Sequence, residues 1–165
     1  MKDSRFYRLF LLQLQDIYWA ENHSMNSIPN LIRAATSADL QRVLNDHREI
    51  TRGQIERLEK VFKSLDEKPA EKFSHGLKGL AEEGEAVIAA TEGDSMVRDA
   101  AIIIASQRIE HYEIAAYGTL IIWARQMKCR EVAELLNATL DEEKEADALL
   151  TEIAVGFVNR GATQE

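Results

Sequence analysis

A single cysteine in 165 residues excludes an intramolecular disulfide and any zinc or iron–sulfur site built on thiolates. That residue, Cys129, stands between Lys128 and Arg130 and reads as a small residue of an interhelix turn, with redox sensing as the alternative. Proline and glycine are also scarce, at two and eight residues, and β-branched alternation is absent, so the chain has few turns and no strand pattern. No long apolar run is present. The stretch after Met1-Lys2-Asp3-Ser4-Arg5 is broken by Gln13, Gln15 and Asp16, which fits neither a signal peptide nor a membrane span and makes a reducing cytoplasm the expected compartment. Positive charge is in deficit. With 20 Lys and Arg against 28 Asp and Glu the net charge is −8, which argues against nucleic acid as a partner and is compatible with attracting cations.

What the chain does have is apolar residues at helical spacing. Hydrophobic residues make up 45% and charged residues 29%, a globular balance, and the length fits one domain over 1–165. The periodicity predicts an all-α fold. Helix A covers about 3–35, with Phe6, Leu9, Phe10, Leu14, Ile17, Ile28 and Leu31 inward and a kink or break at Pro29. Helix B covers about 37–65 behind the Thr36 and Ser37 caps and stops at Asp66-Glu67-Lys68-Pro69. A crossover over 66–94 contains a short helix. Helix C covers about 95–127 behind Asp94 and Ser95, and helix D about 130–159. Two helical hairpins joined by a long crossover is the connectivity of a ferritin-like four-helix bundle; an up-down-up-down bundle needs no such connection.

Acids lie on the apolar stripes. At about 100° per residue, Glu21 falls roughly 40° from Ile17 and points inward, whereas His23 lies off the stripe. On helix B, His47, Thr51 and Gln54 face the core with Val43, Leu44 and Leu58. Glu49 lies about 160–200° away, with Arg52 and Glu56, and is expected in solvent. On helix C, Glu110 aligns with Ile103, Ile114, Tyr117 and Ile121, and Glu113 sits at the edge of that stripe, while His111 is turned aside. On helix D, Glu143 aligns with Val132, Leu136 and Leu150, and Asp147 follows one turn later.

An unpaired carboxylate is costly to bury, and these stripes contain no inward Lys or Arg. Five carboxylates and one imidazole in one core therefore point to bound cations rather than to a purely structural polar cluster. The expected metal ligands are Glu21, His47, Glu110, Glu113, Glu143 and Asp147, around two ions. Oxygen-rich ligation with one imidazole suits iron, or manganese as the alternative, with Glu113 free to bridge or shift between them. Tyr18, Tyr112 and Tyr117 read as packing residues, with a redox role beside the metal as the alternative.

Four segments carry a family resemblance: Asp16-Ile-Tyr-Trp-Ala-Glu21, His47 through Glu59, Ile109-Glu-His-Tyr-Glu-Ile-Ala-Ala-Tyr-Gly118-Thr-Leu, and Leu140-Asp-Glu-Glu143-Lys-Glu-Ala-Asp147. In them the chain resembles the YciF-like family of bacterial ferritin-like proteins, once a domain of unknown function. The resemblance spans nearly the whole chain. It implies a ferritin-like bundle, a dimer and a link to bacterial stress responses, but no settled activity. The chain departs from the wider ferritin-like pattern of two Glu-x-x-His motifs. Helix B has His47 instead, and helix D has Ala146 and Asp147 where histidine would be expected.

Two functions follow as expectations. One is an enzyme with a dinuclear iron or manganese centre reacting with O2 or peroxide. The other is a non-catalytic structural or interaction protein whose buried acids bind metal for stability. A homodimer burying Trp19 or Trp123 is also expected. Leu11, Leu12 and Trp19 on helix A, and Ile104, Tyr112, Ile122 and Trp123 on helix C, turn away from the acid-bearing stripes and need a cover.

Overall fold

The computed structural model describes residues 4–165; the first residues of the expected helix A, up to Asp3, lie outside them. All regular structure among the described residues is helical: α1 (Arg5–Ala34), α2 (Ala38–Ser64), α3 (His75–Ala89), α4 (Met96–Gln126) and α5 (Arg130–Ile153), followed by a π-helical turn (Ala154–Val158) and a last helical turn, α6 (Asn159–Ala162). Helices α1 to α4 each start behind a serine, at Ser4, Ser37, Ser74 and Ser95, whose hydroxyl accepts from the backbone N–H three residues on. The α4–α5 turn closes with Lys128 at φ 61°, which lets the Cys129 N–H reach the Ala124 carbonyl at 2.9 Å.

Two details of α1 correct the sequence reading. The helix runs unbroken through Pro29 to Ala34. Proline removes one N–H from a 30-residue helix, and buried Ser24 and Ile28 ahead of it anchor that turn to its neighbours. The inward stripe is Tyr7, Phe10, Leu14, Ile17, Glu21, Ser24 and Ile28, whereas Phe6 and Leu9 are exposed. Tyr7 takes the inner position because its hydroxyl, donating to Glu67 at 2.9 Å, finds a partner at the end of α2.

Helix α1 packs on α2 and α4, and α5 packs on the same two. Three residues join α1 to α2 and three join α4 to α5, so each pair is antiparallel. Helix α4 is also antiparallel to α1, since Asp99 near its start meets Thr36 and Ser37 beyond the end of α1. It follows that α2 and α4 run the same way, and the chain must return along the assembly between them. The segment ending in α3 does this. It is fastened by Lys72, whose N–H donates to the Gln15 carbonyl at 3.1 Å, and by Ser74, which meets the Tyr112 hydroxyl at 2.7 Å.

The interior has three layers. At one end Tyr7, Phe10, Leu58, Phe62, Leu120 and Leu136 form an apolar core; at the other Leu40, Leu44, Ile102, Ile103, Leu150 and Val158 form a second. Between them, at the middle of the four long helices, buried polar side chains collect: Glu21, Ser24, Thr51, Gln54, Ser106, Glu110, Glu113 and Glu143. Two apolar cores thus clamp a polar belt from both sides.

Asp99 is a separate buried acid with its own explanation. Its two oxygens accept from the N–H groups of Thr36 at 2.6 Å and Ser37 at 2.8 Å, which fixes the α1–α2 turn to α4. Hydrogen bonds to a charged acceptor are worth about 1.5–3 kcal/mol each, and their loss would leave both donors buried. Asp99→Ala is expected to cost about 2–4 kcal/mol in urea unfolding. A loss below about 0.5 kcal/mol, within the range of ordinary surface substitutions, would contradict this account.

Candidate metal centre

The belt is assembled by helical phase. Glu21 and Ser24 come from α1, Gln54 and His47 from α2, Glu110 and Glu113 from α4, and Glu143 from α5. Among the described residues two groups have ligand atoms all within 4.8 Å of one another: His47, Glu110 and Glu143, and Glu21, Glu113 and Glu143. Glu143 belongs to both. The four glutamates are 0–3% exposed, and the His47 side chain is 12% exposed, so bulk water scarcely reaches them.

The protein supplies only part of what these groups need. The Tyr117 hydroxyl donates to Glu21 Oε1 at 2.5 Å, Ser24 Oγ to Glu113 Oε1 at 3.4 Å, and the Gln54 amide to Glu143 Oε1. His47 Nε2 lies 3.3 Å from Glu110 Oε1. Glu110 Oε2, Glu143 Oε2 and His47 Nδ1 are buried without a hydrogen-bond partner. Burial pushes the carboxyl groups of Glu21, Glu110 and Glu113 well above the usual range, and neighbouring carboxylates push them further. Burial holds the His47 imidazole below its ordinary value, in its neutral, metal-binding form. Tyr117 is raised by burial and then by the Glu21 carboxylate.

Of the six residues selected on phase, five converge: Glu21, His47, Glu110, Glu113 and Glu143. Asp147 does not. Its Oδ1 accepts from Gln107 Nε2 at 3.0 Å and lies 3.4 Å from Nε2 of exposed His111, on the rim between α4 and α5. One turn after Glu143, the inner position is taken by buried Ala146, and a side chain as short as aspartate cannot reach back into the belt. Glu49 is exposed and paired with Arg52, the outward placement that its phase required.

The expectation of no inward cation is corrected at Arg57. Its guanidinium, partly buried between α2 and α5, makes two 2.8 Å bonds to Glu142 and a third, at 2.7 Å, to Thr139. It is engaged there and leaves the four buried glutamates without a direct ion-pair partner among the described residues. Phase alone also passed over Ser24 and Ser106, because an isolated serine on a helix face carries little signal.

Four buried carboxylates and a neutral imidazole, centred on one shared glutamate inside a four-cornered helical assembly, define a carboxylate-rich helical protein able to hold metal. Comparison places it further. A family model described as a domain of unknown function, DUF892, matches residues 5–163, and the chain belongs to that family. Protein YciF of Escherichia coli K12 is 41% identical over 155 residues, which is 93% of each chain. The crystal structure of that protein, described as a stress protein, matches with a TM-score of 0.89 over 94% of this chain and 98% of its own. YcfI of Rhodopseudomonas palustris, which carries a provisional designation as a structural protein, is 39% identical with a TM-score of 0.87, over 90% of this chain and 94% of its own. No helix among the described residues is long and apolar enough to cross a membrane.

Proposed function

We propose that this protein is a ferritin-like four-helix bundle of the bacterial stress response that binds two iron, or manganese, ions in its polar belt. The observation that carries this reading is the pair of buried ligand groups sharing Glu143, with unpartnered oxygens on Glu110 and Glu143 and no direct cation partner for the four glutamates. The donor set fits. Hard carboxylate oxygens with one imidazole suit iron or manganese, and the absence of thiolate disfavours soft-metal sites. His47 and Glu110 would hold one ion, Glu21 and Glu113 the other, and Glu143 would be common to both.

When bound, such ions supply one-electron chemistry toward O2 or peroxide. The chain's own residues set the conditions. The two apolar cores exclude bulk water from above and below. Tyr117 and Gln54 each occupy one oxygen of Glu21 and Glu143 and leave the second oxygen of each carboxylate for a metal. The Tyr117 hydroxyl keeps its proton, since burial and Glu21 both oppose its loss. Expression in iron-supplemented medium is expected to yield about two metal ions per chain, and the loaded protein to oxidise Fe(II) faster than buffer with O2 or peroxide. Metal bound at that ratio without such turnover would favour the second reading, a structural protein stabilised by its ions; the designation of YcfI agrees with that reading.

Assembly as a homodimer that buries Trp19 or Trp123 belongs to the same proposal. Trp19 packs on His23 and Phe73, and Trp123 on Phe6, and both tryptophans stay partly exposed. The apolar side chains left bare on these two neighbouring helices include Leu9 and Leu12 of α1 and Ile122 of α4, the last 64% exposed. Sedimentation is expected to show a dimer at micromolar concentration, and the double variant Leu12→Lys, Ile122→Lys a folded monomer. A wild-type monomer under the same conditions would remove this interface.

A further inference from the structure

Beside the metal ligands lies a space that they do not explain. A cavity of about 30 Å³ extends from His47 and Glu110 toward α1, walled by Ile28, Leu44, Ile109 and Leu150. Its volume accommodates only one or two water-sized groups. Three of its lining residues carry buried polar atoms without a hydrogen-bond partner: Ser106 Oγ, Glu110 Oε2 and His47 Nδ1. Ser106 is 5% exposed, one turn before Glu110, and is not among the metal-ligand groups. A buried hydroxyl is costly to leave without a partner, and Ser106 Oγ is free to bond a group that enters this cavity.

A second space lies beside the cavity. A groove of about 280 Å³ lies between α1, α3 and α4, and its walls are mainly aliphatic, including Ala34, Leu80, Ile88 and Ala105. Ser27, Leu31 and Ile109 line both spaces, so only these three side chains stand between the two. Helix α3 can form the far wall because Gly84 lets it close on α4; a Cβ there would lie 2.9 Å from the Ala105 methyl. The groove is near the lower end of the range for small-molecule sites, which are mostly apolar with a few convergent polar groups.

We propose that this groove and cavity form a binding site for a slender aliphatic molecule with one uncharged hydrogen-bonding head, such as a medium-chain alcohol. The head reaches Ser106 Oγ beside Glu110, and the chain lies outward past Leu31 and Ile109 into the groove. In the metal-free chain a carboxylate head does not fit, because it would face Glu110 across a cavity that offers no cation. The pocket stands on the geometry of the chain alone; its position as a substrate site rests on the metal reading above, since the head lies next to His47 and Glu110.

The test uses n-octanol and octanoate with the full chain, titrated calorimetrically and followed by amide chemical shifts, once metal-free and once loaded. Octanol is expected to bind one per chain, shifting amides around Ser27, Ile109 and Ala105, and octanoate to bind the metal-free chain at least tenfold more weakly. Ser106→Ala should weaken octanol binding about tenfold. Ile109→Trp, which enlarges a side chain common to both spaces, should abolish binding while the Tm and helical content show the fold intact. Equal binding of the two compounds to the metal-free chain, or binding unaffected by both substitutions, would overturn the proposal. Absence of octanol binding to a chain that still gains stability from metal would overturn it and leave the metal reading in place. Octanol binding with no metal uptake would do the reverse.

Discussion

Removing metal from the loaded protein with a chelator should lower its Tm by about 5–10 °C for each ion lost, and returning Fe(II) or Mn(II) should restore it. A ligand that binds only the folded state adds about 2.7 kcal/mol at one hundred times its Kd, and a chain of this size gains about 2–4 °C for each kcal/mol. The buried glutamates make the effect large, because without metal they face one another across 4.8 Å or less. Calorimetry of protein with verified metal content, before and after stripping, checks this. An unchanged Tm after stripping would show the belt to be a self-sufficient polar cluster.

The effect also depends on pH with a definite sign. Glu21, Glu110 and Glu113 have folded-state pKa values raised above the unfolded value of about 4.3. The stability they contribute is fully present below that unfolded value and is lost as the pH rises through their folded values, because the folded chain holds more protons. His47 acts in the opposite sense. Its lowered pKa favours the folded state above about pH 6.5 and ceases to do so on acidification, but it is one group against three. Metal ions compete with protons for the same oxygens, so the stabilisation by added metal should increase from about pH 5 to pH 8. A metal-dependent gain that shrinks over this range would contradict the assignment of these carboxyls as ligands.

Glu143→Gln should change sign with metal. Among the described residues Glu143 is common to both ligand groups, so the substitution removes a ligand from each proposed ion position at once. Metal affinity should fall by more than the ~10–100-fold typical of losing an outer partner, and the metal-dependent rise in Tm should disappear. In the metal-free protein the same substitution removes one carboxyl group from a buried, carboxyl-rich cluster and keeps both shape and an acceptor for the Gln54 amide. It is expected to stabilise that form by about 1–2 kcal/mol, in line with the gains seen when buried charges are replaced by neutral groups of similar volume. Thermal melts of both proteins with and without metal give all four values. A metal-free Glu143→Gln protein that is less stable than wild type would mean the carboxylate is already well compensated within the chain. Asp147→Asn serves as the contrast. Its side chain faces Gln107 and His111 on the rim, so metal-dependent stability should be unaffected.

Legible in the residues alone were the all-helical class and the inward direction of the five side chains that the structure brings together. All of these follow from local quantities: the 3.6-residue period, serine caps, and the angle of each side chain from an apolar stripe. The same angle put Glu49 in solvent and His47 inside. Phase fixes direction but not reach, and this is where tertiary structure decided. Asp147 points within about 40° of Glu143 yet ends on the rim, because its position along the axis and its short side chain keep it from the belt. Proline 29 sits in an unbroken helix because packing on either side outweighs one missing hydrogen bond. Arg57 enters the α2–α5 seam only because Glu142 and Thr139 are there to receive it, on a helix 82 or more residues away in sequence. The sharing of Glu143 between two ligand groups, and the cavity that ends at Ser106, arise where four helices meet. No periodicity within one helix contains that information, because it depends on the relative height and rotation of all four.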